Sequence, residues 1–281
     1  MPFNAAEAAN YGTYVNNVYA MYNNGKGGLT PGQIGMAGYT VHSYVIMSDF
    51  LPWKSMPEFY GVIATSNTTA ESILVMRGTI GWTEWFDNMH PGMVPFNHAP
   101  GDVEAGFNQI YETIKVVPQG WSPTAPAALS LVPGATFAEQ VANAIATHRR
   151  VTVAAATVTE TLTIAGHSLG SALLTLYVVE NVAKGLLKTP LVYLFASPRV
   201  GDATFVNTYN TMTGVTTWRI ANKNDLVTLV PPEDWGFRDV NTLVPVDDTG
   251  KVKDTPTCHH AMTTYMFLLN PAVFNPGDCA P

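Results

Sequence analysis

Cysteine is nearly absent: among 281 residues only Cys258 and Cys279 occur, both close to the C-terminus. Two cysteines build no disulfide framework. They can form one bridge or stand as two free thiols, and spacing does not decide between these. Charge is sparse as well. Only 12% of the residues are charged, with 21 acidic against 14 basic side chains and a formal net charge of −7. A chain with no basic stripe excludes nucleic acid as its partner class. No apolar run reaches the roughly 18 residues of a membrane-spanning helix, so no transmembrane span is expected. The opening "MPFNAAEAANYG" has no basic segment followed by an apolar one. The chain is therefore expected either to stay in the cytoplasm or to be an exported protein whose signal has been cut off.

What is present is apolar material, 47% of the chain. That fraction and length suit a globular α/β unit with a large core. No linker divides the sequence, so residues 1–281 read as a single domain. "AANYGTYVNNVYAMYN" has helical apolar spacing. "SILVMRG" (72–78) reads as a buried strand ended by glycine. Helical spacing recurs over 101–117 and 137–150, separated by a Pro- and Ala-rich loop at 119–136. "TLTIAG" reads as a strand and "LGSALLTLYVVENVAKG" as a helix closed by Gly185. "PLVYLFASP" and "TTWRIAN" read as two more strands. Strands alternating with helices imply a mostly parallel sheet with both faces covered.

One stretch carries chemistry. Gly166-His167-Ser168-Leu169-Gly170 falls between a predicted strand and a predicted helix. That context is the one the G-x-S-x-G nucleophile elbow requires. A sharp strand-to-helix turn strains the serine backbone and crowds the positions two before and two after it, where glycine offers no Cβ. The Ser168 hydroxyl then stands clear, and the Leu169 amide points at a developing oxyanion from a helix N-terminus. The bland alternative is a glycine-rich turn with an incidental serine.

Such a serine needs an acid and a base, in the chain order Ser, Asp or Glu, His. Asp225 follows the strand "TTWRIAN" by a short turn and precedes the apolar "LVTLVPP". Asp202, Asp234, Asp239, Asp247 and Asp248 lie in more polar stretches. A turn-capping role for Asp225 is the competing reading. His42, His90, His98, His148 and His167 precede Asp225, which leaves His259 and His260, and bare chemistry does not choose between them. A zinc site from Cys258, His259, His260 and Cys279 lacks the usual ligand spacings.

These blocks together resemble the fungal-type class 3 lipases of the α/β-hydrolase superfamily, from about Ile73 to Leu269. "ILVMRGT" resembles the strand and oxyanion loop of that family, "VEAGFNQIY" a helix start, and "IAGHSLGSALLTL" the elbow. "LFASPRVGDATF" and "RIANKNDLVTLVPP" are similar to its Ser-Pro-Arg block and its acid loop. "HAMTTY" resembles its final histidine with a tyrosine five residues on, which selects His260. The resemblance implies an α/β-hydrolase fold, with a central mostly parallel sheet, helices on both faces and a short helical lid. It implies Ser168 as nucleophile, Asp225 as acid and His260 as base, with Thr79 and Leu169 as oxyanion donors. It places a lid after Thr79, where Trp82, Trp85, Phe86 and Met89 recur at i, i+3, i+4 and i+7, the spacing of one helix face. The implied reaction is ester hydrolysis on an acylglycerol at an oil–water interface, with no metal and no cofactor. Phospholipid or feruloyl-type esters are the alternatives within the family, and a silent binding module is the alternative outside it. Secretion is expected if the cysteines are bridged. Three positions depart from the family pattern: Glu104 stands for histidine, Ala196 for glycine, and no histidine lies near Asp239.

Overall fold

A computed structural model of the protein describes residues 2–25, 36–47, 58–69, 71–79, 92–121, 134–152, 161–188, 191–240 and 242–281. The chain opens with helix α1 (Ala5–Gly25). Strands β1 (Tyr39–Met47), β2 (Glu58–Ser66) and β3 (Glu71–Met76) follow. A short ribbon, β4 (Met93–Pro95) and β5 (Asp102–Glu104), leads into α2 (Ala105–Tyr111). Next come β6 (Lys115–Pro118) and α3 (Phe137–Thr152). Strand β7 (Thr161–His167) turns at Ser168 into α4 (Leu169–Ala183). Strand β8 (Leu191–Phe195), α5 (Ala203–Asn210) and β9 (Thr216–Asn222) follow. The C-terminal part holds β10 (Leu243–Val246), α6 (Pro256–His260) and α7 (Met262–Leu269).

Among the described residues eight strands form one sheet in the order β10-β9-β8-β7-β3-β2-β1-β6. From β10 to β3 every pairing is parallel. Strands β2, β1 and β6 extend the sheet by antiparallel pairing. Side chains alternate across the strands, so each strand serves both faces. On β3, Leu74 and Met76 pack with Phe107 of α2, Val141 of α3 and Leu173 of α4. Ile73 and Val75 pack on the opposite face with Val15 and Val18 of α1 and Met266 of α7. Helices thus cover both faces, and β7 is buried from Leu162 to His167.

The helix expected over 101–117 is shorter than its spacing suggests. Residues 102–104 are strand, α2 ends at Tyr111, and 115–118 pair with β1. Val116 and Val117 are β-branched and favour the strand, while Pro118 sits where β6 stops at the sheet edge. The turn at Ser168 needs glycine for a reason of space. A Cβ at Gly166 would lie 2.6 Å from Leu174 Cδ1, and one at Gly170 would collide with the Arg77 carbonyl oxygen and lie 2.8 Å from that of Met76. The elbow therefore packs directly against the end of β3.

Candidate active site

Ser168 occupies the turn between β7 and α4 with φ 56 and ψ −127. A positive φ at a non-glycine residue is strained, and the surrounding close packing holds it there. Its hydroxyl Oγ lies 2.9 Å from His260 Nε2. His260 ends α6, and its Nδ1 lies 2.8 Å from Asp225 Oδ2. A carboxylate only accepts, so His260 carries its proton on Nδ1 and Nε2 is free to accept from Ser168. All three side chains are buried. The structure brings together the three residues that chain order and resemblance pick out.

Asp225 also caps a short 3-10 turn, Leu226–Leu229, its Oδ1 accepting from Val227 N at 3.0 Å. The capping role and the contact with His260 are two uses of one carboxylate, one for each oxygen. Oδ2 accepts a second hydrogen bond from the Tyr265 hydroxyl at 2.7 Å, and that hydroxyl accepts from Asn222 N at 3.0 Å. Burial and the Asp225 charge push the Tyr265 hydroxyl well up, so it stays a donor.

His259 belongs to a separate cluster. Its Nδ1 lies 2.8 Å from Asp248 Oδ2 and its Nε2 3.0 Å from Asp254 Oδ1. Asp248, in a stretch that reads as polar, is buried and accepts from Asn222 and Asn224 as well. The neighbouring histidines thus face different aspartates, two for His259 and one for His260, and His260 is the one hydrogen-bonded to Ser168.

One residue with no local sequence signal, Tyr19, completes the surroundings. Gly78 N donates to the Tyr19 hydroxyl of α1 at 2.8 Å. Tyr19 in turn donates to His167 Nδ1 at 2.7 Å, which leaves His167 Nε2–H to donate to the His260 carbonyl at 2.8 Å. Burial, reinforced by the nearby His260, holds His167 well below the usual imidazole range, consistent with this neutral tautomer. A single chain of hydrogen bonds joins the segment before Thr79, the residue before Ser168 and the backbone of His260. Gly78 packs so closely that a Cβ there would lie 2.6 Å from Ser168 Cβ. Thr79 is the next residue, and Leu169 opens α4 with its amide at the helix N-terminus. Arg77 lies between the rings of Tyr22 and Tyr60, at 4.0 and 3.8 Å, and donates to the Gly78 carbonyl at 2.7 Å. Trp82, Trp85, Phe86 and Met89 lie outside the described residues.

The three departures have physical roles. Glu104 is buried, caps α2 by accepting from Phe107 N at 2.6 Å, and is pushed up by that burial. Ala196 follows β8 with φ 51, the conformation that suits the family's glycine. Asp239 receives Arg199 at 3.3 Å and Arg219 at 3.3 Å. Cys258 and Cys279 form a disulfide, so neither thiolate is free for a metal. Among the described residues no cluster of His, Cys, Asp or Glu is arranged to hold a metal ion, and no helix is long and apolar enough to cross a membrane.

The mostly parallel sheet with a strained serine at the turn after β7 defines an α/β-hydrolase fold. The model of the class 3 lipases matches residues 73–235, more than half of the chain, and the protein belongs to that family. Phospholipase A1-II 1 of Oryza sativa subsp. indica is 27% identical over 235 residues, which cover 76% of this chain and 55% of the rice protein. Secreted mono- and diacylglycerol lipase 1 of Fusarium solani is 26% identical over 181 residues, covering 63% of this chain and 44% of that protein. The chain spans about half the length of these two relatives. Among solved structures, a mono- and diacylglycerol lipase from Aspergillus oryzae superposes with a TM-score of 0.60 at 16% identity, over 86% of this chain and 80% of that one. The Rhizomucor miehei lipase–propeptide complex gives 0.59 at 18% identity, over 87% and 68%. At such identities the structural likeness speaks for the fold alone.

Proposed function

We propose that the protein is a lipolytic carboxylester hydrolase working through an acyl-enzyme on Ser168. The observation that carries this is the pair of contacts on His260, with Ser168 Oγ on one ring nitrogen and Asp225 on the other. His260 Nε2 takes the Ser168 proton as Oγ attacks the ester carbonyl carbon. Asp225 fixes the imidazole ring and stabilises the imidazolium that forms. The amides of Leu169 and Thr79 receive the negative charge on the carbonyl oxygen, a role in which each donor is typically worth about 100- to 1000-fold in rate. His260 then gives its proton to the leaving alcohol, and water repeats the cycle on the acyl-enzyme. Trp82, Trp85, Phe86 and Met89 are assigned to a lid over this site.

An acylglycerol is the leading substrate. A phospholipid is the second reading, favoured by the rice relative named phospholipase A1, which aligns over 76% of the chain. The disulfide supports work in an oxidising compartment outside the cytoplasm. Wild type and Ser168→Ala are to be assayed on dissolved p-nitrophenyl esters, an emulsified triglyceride and a phospholipid. Ser168→Ala is expected to fold with an unchanged melting temperature and to lose on the order of a millionfold in turnover. Retention of roughly a tenth of the activity would exclude Ser168 as the nucleophile on the same scale. The ratio of triglyceride to phospholipid turnover decides between the two substrates.

A further inference from the structure

The turn that begins at Asp225 continues into a segment with an unusual surface. Among the described residues, large apolar side chains that stand mostly exposed are Leu226 (55%), Leu229 (50%), Trp235 (55%), Leu243 and Val273. Three of these fall within ten residues, directly after Asp225. Scattered exposed apolar side chains need no explanation, but these are held on a rigid support. Residues Leu226–Leu229 form a 3-10 turn of three residues per turn, so Leu226 and Leu229 project from the same side. Val227 and Thr228 turn inward and are buried. Trp235 ends a second 3-10 turn, Glu233–Trp235.

Arg199, in the loop after β8, fastens this segment. Its guanidinium is nearly buried and donates to the carbonyls of Leu229 and Pro231, the latter at 3.2 Å. It also donates to Glu233 at 3.0 Å and Asp239 at 3.3 Å, while Arg199 N donates to the Val230 carbonyl at 2.7 Å. One buried cation thus fixes the backbone between Leu229 and Glu233. Apolar side chains on a preorganised support lose little conformational freedom when they enter another phase. Tryptophan in particular favours the boundary between water and lipid. The exposed charged residues from 223 to 238 are Lys223, Glu233, Asp234 and Arg238, two of each sign. Such a segment has no basic excess to draw it to anionic lipid, and the chain as a whole carries −7.

We propose that Leu226, Leu229 and Trp235 form a wedge that inserts into a lipid surface without net charge, setting Ser168 at that surface. The wedge rests on the lipolytic reading above for its purpose, and its occupant follows from its apolar exposure, its charge balance and its continuity with Asp225. Binding and hydrolysis are separated by working in the Ser168→Ala background. Flotation with phosphatidylcholine vesicles should recover Ser168→Ala. The further changes Leu226→Ser, Leu229→Ser and Trp235→Ser together should lower that partition on the order of tenfold or more, whereas Val273→Ser should not. Replacing about a third of the lipid by phosphatidylglycerol should weaken binding of the parent. With Ser168 restored, the triple variant should hydrolyse a dissolved short-chain ester at the wild-type rate and a lipid emulsion more slowly. Failure of the parent to float, unchanged flotation of the triple variant, or stronger binding to the anionic vesicles would each overturn the proposal. If the wedge governs flotation but no lipid is hydrolysed, the wedge stands and the lipolytic reading falls.

Discussion

Tyr265 and His260 donate to the same carboxylate oxygen of Asp225, at 2.7 and 2.8 Å. That oxygen is therefore held from two sides, while the other is fixed by Val227 N. Tyr265→Phe removes one of the three bonds and strands Asn222 N without its acceptor. Hydrogen bonds to a charged group are worth about 1.5–3 kcal/mol, so turnover should fall on the order of tenfold or more. KM for a dissolved ester should stay unchanged, because Tyr265 orients Asp225 and has no assigned contact with substrate. Steady-state kinetics on one short-chain ester checks this; a rise in KM with constant kcat would place Tyr265 in substrate binding instead.

The paired histidines give a prediction with a sign. Both ring nitrogens of His259 face carboxylates, so the ring satisfies both only as an imidazolium. Burial lowers its affinity for the proton, but the bonds to Asp248 and Asp254 outweigh that and raise it above the ordinary 6.5. Asp248 is pushed up by burial, yet Asn224, His259 and Asn222 together bring it below 3.8. A raised histidine contributes stability that is fully present below its unfolded value and is lost as pH rises through its folded value. The melting-temperature gap between wild type and His259→Gln should therefore be widest below about pH 6.5, the unfolded value, and narrow as the pH rises above it. His259→Gln should keep most ester hydrolysis, whereas His260→Gln should lose it. A gap that widens with pH would reject the imidazolium bridge.

Much of this site is legible in the chain because the elbow is local. Gly166, Ser168 and Gly170 announce a strand-to-helix turn within five residues, and the order of later elements narrows the acid and the base. What stays hidden depends on distant packing. Tyr19 reaches His167 from 148 residues away, and nothing near Tyr19 marks it as different from other helix tyrosines. Asp248 reads as a polar loop residue until the fold buries it against His259. The antiparallel half of the sheet is equally obscure, since polar His42 and Ser43 interrupt the apolar pattern of β1. Over 115–117 the valines continue a helical spacing, and only pairing with β1 makes them strand.

Gly170→Ala tests how tightly the elbow abuts β3. The new methyl would meet backbone carbonyl oxygens of Arg77 and Met76, neither of which can turn aside as a side chain could. Overpacking against fixed backbone costs about 1–3 kcal/mol and more where nothing yields. The strand that must shift leads straight into Gly78 and Thr79. The variant should melt lower by an amount matching about 3 kcal/mol, and whatever folds should have reduced turnover. Chemical denaturation beside ester kinetics measures both; full stability would mean that the close approach is absent in solution.

The Cys258–Cys279 bridge closes a separation of 21 residues and pins the C-terminal 3-10 turn Gly277–Cys279 to α6. In the chain-entropy model a loop of this size is worth about 3 kcal/mol, by restricting the unfolded chain. The same region is tied by Lys253 N to the Cys279 carbonyl at 2.9 Å and by Lys253 Nζ to the Asp278 carbonyl at 2.7 Å. Cys258 lies two residues before His260, yet the histidine is held independently, by Asp225 at its ring and by His167 at its carbonyl. Reduction, or the double change Cys258→Ser and Cys279→Ser, should therefore lower the melting temperature substantially. Turnover measured well below the transition should change little. Thiol titration of the unreduced, denatured protein should find no free thiol. Two free thiols, or a collapse of activity under conditions where the reduced protein is still folded, would show that the bridge is absent or that it positions His260 directly.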